Sequence, residues 1–166
     1  MFPLFLDLAG RRVVLVGRGP IADAKRRQFS DAGADVRPVE PETFTPADLD
    51  DAWLVVSAGP PEVNRAVADT AGARRVFVNA VDDPPNASAY LGGVIRRGDV
   101  TIAVSTDGHA PALAALLREA LDELLPADLD AWVATARDER TAWRRDGVPI
   151  DQRKPLLLQA LNRRYP

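Results

Sequence analysis

The chain has 166 residues, 46% hydrophobic and 27% charged, with 21 Lys+Arg against 24 Asp+Glu for a formal net charge of -3. That suits one globular unit with room for a small appendage, and it supplies no overall field for drawing in nucleic acid or an anionic membrane. With no cysteine and a single histidine, His109, disulfide frameworks, thiolate catalysis and Cys/His zinc sites are excluded, and no metal site is expected.

No apolar run reaches the roughly eighteen residues that span a bilayer. The opening Met1-Phe2-Pro3-Leu4 also lacks the basic start and long apolar stretch of a signal peptide, so the expected location is cytoplasmic. After Pro3-Leu4-Phe5-Leu6-Asp7-Leu8, the run Arg11 to Gly17 is rich in branched apolar residues and reads as a strand buried on both faces. Pro20 suits a first helical turn, a helix follows to Phe29, and Gly33 provides the stop before a second strand at Ala34 to Val39. Pro38 cannot donate to a ladder, so that strand is expected to be short or bent. A third strand is expected at Trp53 to Ser57, a helix at Pro61 to Ala71 and a fourth strand at Arg75 to Ala80. Strands alternating with helices imply a parallel sheet.

Beyond Asp82-Asp83-Pro84-Pro85 the pattern changes. Tyr90 to Ile95 and Val100 to Val104 flank Arg97-Gly98-Asp99, as in an antiparallel hairpin. Leucines and alanines then recur at helical spacing from Ala110 to Leu125, and two further amphipathic stretches, Leu129 to Arg145 and Ile150 to Arg164, make the tail helical. The expected fold class is α/β: a Rossmann-type parallel sheet over residues 1–91, a small β-hairpin element over 92–125 and a helical C-terminal domain over 126–166.

Gly17-Arg18-Gly19-Pro20-Ile21-Ala22 is a G-x-G-x-x-G/A pattern placed directly after a buried strand and at the opening of a helix. The first glycine permits the tight turn, the second lets backbone approach a pyrophosphate, and the small last residue lets helix and strand pack closely. The helix start then faces the phosphates with unpaired N–H groups. Glu40, at the end of the second strand, is placed to accept hydrogen bonds from an adenosine ribose, which favours NAD over NADP. The plain alternatives are a glycine turn that only joins strand to helix, a solvated Arg18, and a Glu40 that only solubilises its loop. The expected cofactor-binding set is Gly17, Arg18, Gly19, Pro20, Ile21, Glu40, Pro41, Ser57 and Val81.

These stretches, together with Pro61-Glu62-Val63-Asn64, Val78-Asn79-Ala80-Val81-Asp82-Asp83-Pro84, and Arg96 to Thr106 followed by Pro111-Ala112-Leu113, resemble the precorrin-2 dehydrogenase family, the module of siroheme synthase that oxidises precorrin-2 to sirohydrochlorin. The resemblance spans about the first 125 residues. It implies a homodimer in which the hairpin region forms the dimerisation element, NAD as cofactor, and Asp82 as the essential acid/base. Oxidation removes a hydride and a proton, and a positioned carboxylate suits the proton. In bifunctional relatives the same pocket inserts iron into the product. By position alone Asp82 and Asp83 could be acidic loop residues, although the carboxyl end of a parallel strand is where open α/β sheets hold ligands.

Asn79, Arg97, Ser105, Thr106 and His109 are the expected substrate-binding residues: Arg97 because precorrin-2 carries many carboxylates that require donors, Ser105 and Thr106 because they match the family's hydroxyl pair; the plain alternatives are a strand-end cap at Asn79, ordinary strand-end hydroxyls and a solvated or capping His109. Arg96, Arg118, Arg137 and Arg140 are further candidate donors. The sequence departs from the family's pattern where Arg18 interrupts a glycine triplet, at Val56-Ser57-Ala58-Gly59-Pro60, at Gly92 in place of proline, and at Asp107 in place of glycine. A strand that usually precedes the third one is missing from the short interval Glu42 to Trp53. The rival reading is a non-catalytic module that binds tetrapyrrole or NAD(H). A third reading, oxidation of a small metabolite, is less well supported because the chain lacks a separate substrate domain.

Overall fold

The structure is a computed structural model and describes residues 1–165; Pro166, the end of the expected 126–166 segment, lies outside them. Two compact units are formed, one from residues 1–91 with 105–110, the other from 92–104 with 111 onward.

In the first unit, β1 (Arg12–Gly17), β2 (Asp35–Val39), β3 (Ala52–Ala58) and β4 (Phe77–Ala80) make a parallel sheet in the order β2-β1-β3-β4. β1 is central, and Val13, Val14, Leu15 and Val16 are almost wholly buried, which is why it reads as an unbroken apolar run. Alternate residues serve opposite faces. Val13 and Leu15 join Leu54, Val56, Ala22 and Phe29 of α1 (Pro20–Asp31) in one cluster. Val14 and Val16 join Val55, Val78 and the buried Val67 and Ala71 of α2 (Pro61–Arg74) in the other.

β2 lies at the sheet margin, paired only with β1, and there Pro38 opposite Leu15 is tolerated despite its missing donor. The strand expected from Arg75 starts at Phe77 instead. Arg75 closes α2 with φ 60, a left-handed cap, and so cannot extend into a ladder. Two 3-10 turns, Pro41–Thr43 and Pro46–Leu49, fill the interval that lacks the extra strand. The second is fastened by a capping box between Thr45 and Asp48, by an Arg37–Asp48 ion pair at 2.9 Å and by burial of Leu49. Beyond β4 the chain doubles back along that strand. The amides of Ser88 and Ala89 both donate to the Val78 carbonyl, at 2.9 and 2.7 Å, and the Val78 amide donates to Ser88 Oγ at 2.9 Å.

In the second unit β5 (Gly93–Arg97) and β6 (Val100–Val104) form the antiparallel hairpin, turning at Gly98 with φ 53. It is joined by α3 (Pro111–Leu124), α4 (Leu129–Arg145) and α5 (Ile150–Asn162). Among the described residues no helix is long and apolar enough to cross a membrane.

Candidate active site at the carboxyl edge of the sheet

The turn between β1 and α1 is built by close backbone approach. Gly17 has φ 144, and a Cβ there would stand 2.8 Å from the Ala58 carbonyl oxygen on β3, so only glycine lets the two strands end side by side. Gly19 differs: its φ is 85, a conformation L side chains rarely adopt, and a Cβ there would meet nothing within 4 Å, so its outer side is open. Gly19 also occupies the N-cap of α1, where no side chain caps the helix and Pro20 brings no N–H. The first amides of α1 therefore face outward with the positive end of the helix dipole, a donor set suited to a pyrophosphate. Arg18 lies across the neighbouring corner, donating to Glu42 at 2.7 Å and lying 3.6 Å from Glu40; all three side chains are exposed. Pro41 stands between those two glutamates at the start of its 3-10 turn.

Two strands away, β4 ends at Ala80 and the chain is held for one more step by Val81, whose amide donates to the Ser57 carbonyl at 2.8 Å. Asp82 follows, exposed, with φ 54. A left-handed non-glycine residue costs about 1 kcal/mol, and aspartate is among the side chains that bear it best. Asp83 then closes the turn, its carboxylate accepting from Asn86 Nδ2 at 2.9 Å and Asn64 Nδ2 at 3.2 Å. Ser57, fully buried at the end of β3, donates through Oγ to Asn64 Oδ1 at 2.7 Å. The cofactor-binding candidates and Asp82 thus share the carboxyl edge of one sheet, where open α/β folds hold ligands.

The substrate-binding candidates are more dispersed. Asn79 is buried and its Nδ2 donates to the Ala89 carbonyl at 2.9 Å, fastening the returning segment against β4. Arg97, in the second unit, donates from Nε to the Asp122 carboxylate at 3.1 Å and from its terminal nitrogens to the Asp122 and Leu125 carbonyls, closing the end of α3. Both side chains thus make contacts within the protein, Asn79 to backbone and Arg97 to the end of α3. Ser105, Thr106 and His109 lie on one tight turn of the first unit, in which Thr106 Oγ1 accepts from the Ala110 amide at 3.2 Å and Ser105 Oγ from the Asp107 amide at 3.3 Å. Asp107 adopts φ 54 there, which accounts for glycine being the usual residue. His109 and Asp107 border an open hollow of about 720 Å³ shared with Phe2, Phe77, Pro84 and Tyr90; Asp82 does not line it.

Sequence reading did not single out Asn64 for a role, nor Lys25. Lys25 sits half-buried on α1, three residues after the buried Ala22 and four before the buried Phe29. Burial pushes its ammonium below the usual lysine range while the nearby Asp82 carboxylate pushes it back up. The available signal was its rarity, as one of two lysines in an arginine-rich chain, combined with that helical spacing. Among the described residues no three His, Asp or Glu side chains gather as a metal cluster.

Residues 4–93 match a family model described as NAD(P)-binding, and residues 97–124 match one described as sirohaem biosynthesis protein central. Siroheme synthase 3 of Aeromonas hydrophila is 39% identical over 154 residues, covering 81% of this chain and 33% of its own length. Siroheme synthase 2 of Pectobacterium atrosepticum is 38% identical over 159 residues, covering 84% and 35%. The chain therefore spans about a third of the curated relatives it matches. Among solved structures, one titled SirC, precorrin-2 dehydrogenase, shares the fold with a TM-score of 0.71 over 96% of this chain and 88% of its own, at 23% identity. The chain belongs to the NAD(P)-binding family whose model covers residues 4–93, and it is similar over most of its length to one part of the siroheme synthases.

Proposed function

We propose that the chain oxidises precorrin-2 to sirohydrochlorin with NAD as the oxidant, acting as a homodimer in the cytoplasm. The observation that carries this reading is the pairing, on one sheet edge, of an uncapped glycine turn with a left-handed aspartate beyond the fourth strand. In this reading Gly17, Gly19, Pro20 and Ile21 receive the pyrophosphate, Glu40 and Pro41 receive the adenosine ribose, and Val81 lines the approach to Asp82, while the buried Ser57 supports it from below by holding the Val81 amide. The bound nicotinamide supplies the hydride acceptor. Asp82 takes the proton lost from the substrate, and Ser105, Thr106 and His109 offer donors to the substrate's carboxylates.

The test is direct. Purified protein given precorrin-2 and NAD is expected to produce the absorbance of sirohydrochlorin. Asp82→Asn keeps a side chain that accepts the left-handed backbone but cannot take a proton, so its rate is expected to fall about a hundredfold or more. NADH binding, read by fluorescence, is expected to persist. Undiminished turnover in that variant would remove Asp82 from the chemistry.

The Arg18 contacts with Glu40 and Glu42, which lie across the ribose corner, favour a second reading: a module that carries tetrapyrrole or NAD(H) without turnover. Tight sirohydrochlorin binding with no NAD reduction under any condition would select it.

A further inference from the structure

α2 buries Val67 and Ala71 and, beside them, the amide of Asn64, which is 2% exposed. A buried amide is costly unless it is hydrogen-bonded, and here both ends of the side chain find partners. Asn64 Oδ1 accepts from Ser57 Oγ at 2.7 Å and from the Gly59 amide at 3.3 Å, which turns Nδ2 toward Asp83 Oδ2 at 3.2 Å. Ser57 also accepts the Val81 amide on its carbonyl at 2.8 Å. The residues on both sides of Asp82 are therefore tied to the end of β3, one by backbone and the other through Asn64.

We propose that Asn64 is the positioning residue of this site: through Asp83 it holds the backbone of Asp82 in the left-handed conformation that presents its carboxylate. The proposal rests on the reading of Asp82 as proton acceptor. The side chain must accept at one end and donate at the other. Aspartate at this position would keep both contacts to Ser57 and Gly59 but set a carboxylate against that of Asp83.

The test is a polarity swap. Asn64→Asp is expected to lower kcat about a hundredfold, the usual result of misplacing a reacting group by about an ångström, with the NADH dissociation constant unchanged within about twofold. Amide exchange at Val81, Asp82 and Asp83, followed by NMR, is expected to rise about tenfold as the turn loosens. The double variant Asn64→Asp/Asp83→Asn reverses donor and acceptor, with Asn86, whose Nδ2 donates to the same Asp83 oxygen at 2.9 Å, able to turn its amide to match; it is expected to return kcat and exchange to within about threefold of the parent, the coupling that defines a direct pair. Asp83→Ala cuts the same bridge from its half-exposed end, and serves if the buried substitution fails to fold. A folded Asn64→Asp or Asp83→Ala protein with parental kcat and exchange would overturn the proposal, as would a folded double variant that recovers neither. If the parent protein itself does not oxidise precorrin-2, the reading of Asp82 falls, while the exchange comparison still decides whether Asn64 holds the turn.

Discussion

Arg18 shows how one residue can reset a site whose backbone is otherwise conventional. It stands between Gly17 and Gly19, and its guanidinium is drawn to the carboxylates of Glu42 and Glu40. Exposed pairs of this kind contribute at most about 1 kcal/mol, enough to alter preference and too little to shut the corner. A ribose 2′-phosphate entering there would meet Arg18 as well as Glu40, so the repulsion expected from Glu40 alone is blunted. Arg18→Gly is expected to weaken NADPH binding relative to NADH about fivefold, the equivalent of one such pair, measured by fluorescence titration of both nucleotides. An unchanged ratio would show that the guanidinium does not reach the ribose. The glycine turn was legible in the sequence because it stands directly between an apolar strand run and the proline that opens a helix. The roles of Asn79 and Arg97 were not, because a donor's partner is fixed by tertiary contacts: Ala89 lies ten residues from Asn79, and Asp122 lies 25 residues from Arg97.

Strands and helices followed from the sequence wherever burial or a terminator dictated them. β1 and β3 are built on the apolar runs Val13 to Val16 and Ala52 to Val56, and Pro20, Pro61, Pro111 and Pro149 stand at or beside helix starts. The connections were less legible. The interval from Glu42 to Trp53 gave only an absence, the missing strand, whereas the folded chain puts there a turn held by polar contacts. Asp48 carries that turn: the Thr45 amide hydrogen bond, with help from the Thr45 hydroxyl and the Arg37 guanidinium, holds its carboxyl below the ordinary value of 3.8. A carboxyl depressed in the folded state contributes stability above its unfolded value and loses it as the pH falls through the folded one. Asp48→Asn is expected to cost about 1 kcal/mol at neutral pH, the typical value of a lost cap. The deficit should shrink as acid denaturation curves are taken below pH 3.8, where the parent loses the same contacts. A deficit independent of pH would mean that packing of the amide, and not charge, is responsible.

At the scale of the molecule, the second unit carries an apolar stripe along α3. Leu113, Leu116, Leu117, Leu121 and Leu124 recur at helical spacing and are exposed, Leu116 at 61% and Leu124 at 77%. A stripe of this kind is costly in water and suits the homodimer proposed above. Sedimentation velocity is expected to give a dimer for the parent and a monomer for Leu116→Glu/Leu124→Glu, with NADH binding intact in the first unit. A dimer that survives both charges would move the interface elsewhere. The sheet itself is a poor meeting surface for copies. On one margin Pro38 withholds an amide, and on the other Ser88 and Ala89 already occupy the carbonyl of Val78. An arriving strand therefore meets a missing donor on one side and an occupied acceptor on the other. Both interruptions hinder the edge-on stacking from which cross-β fibrils grow, so this sheet can leave its site-bearing end open to solvent at less risk of polymerising.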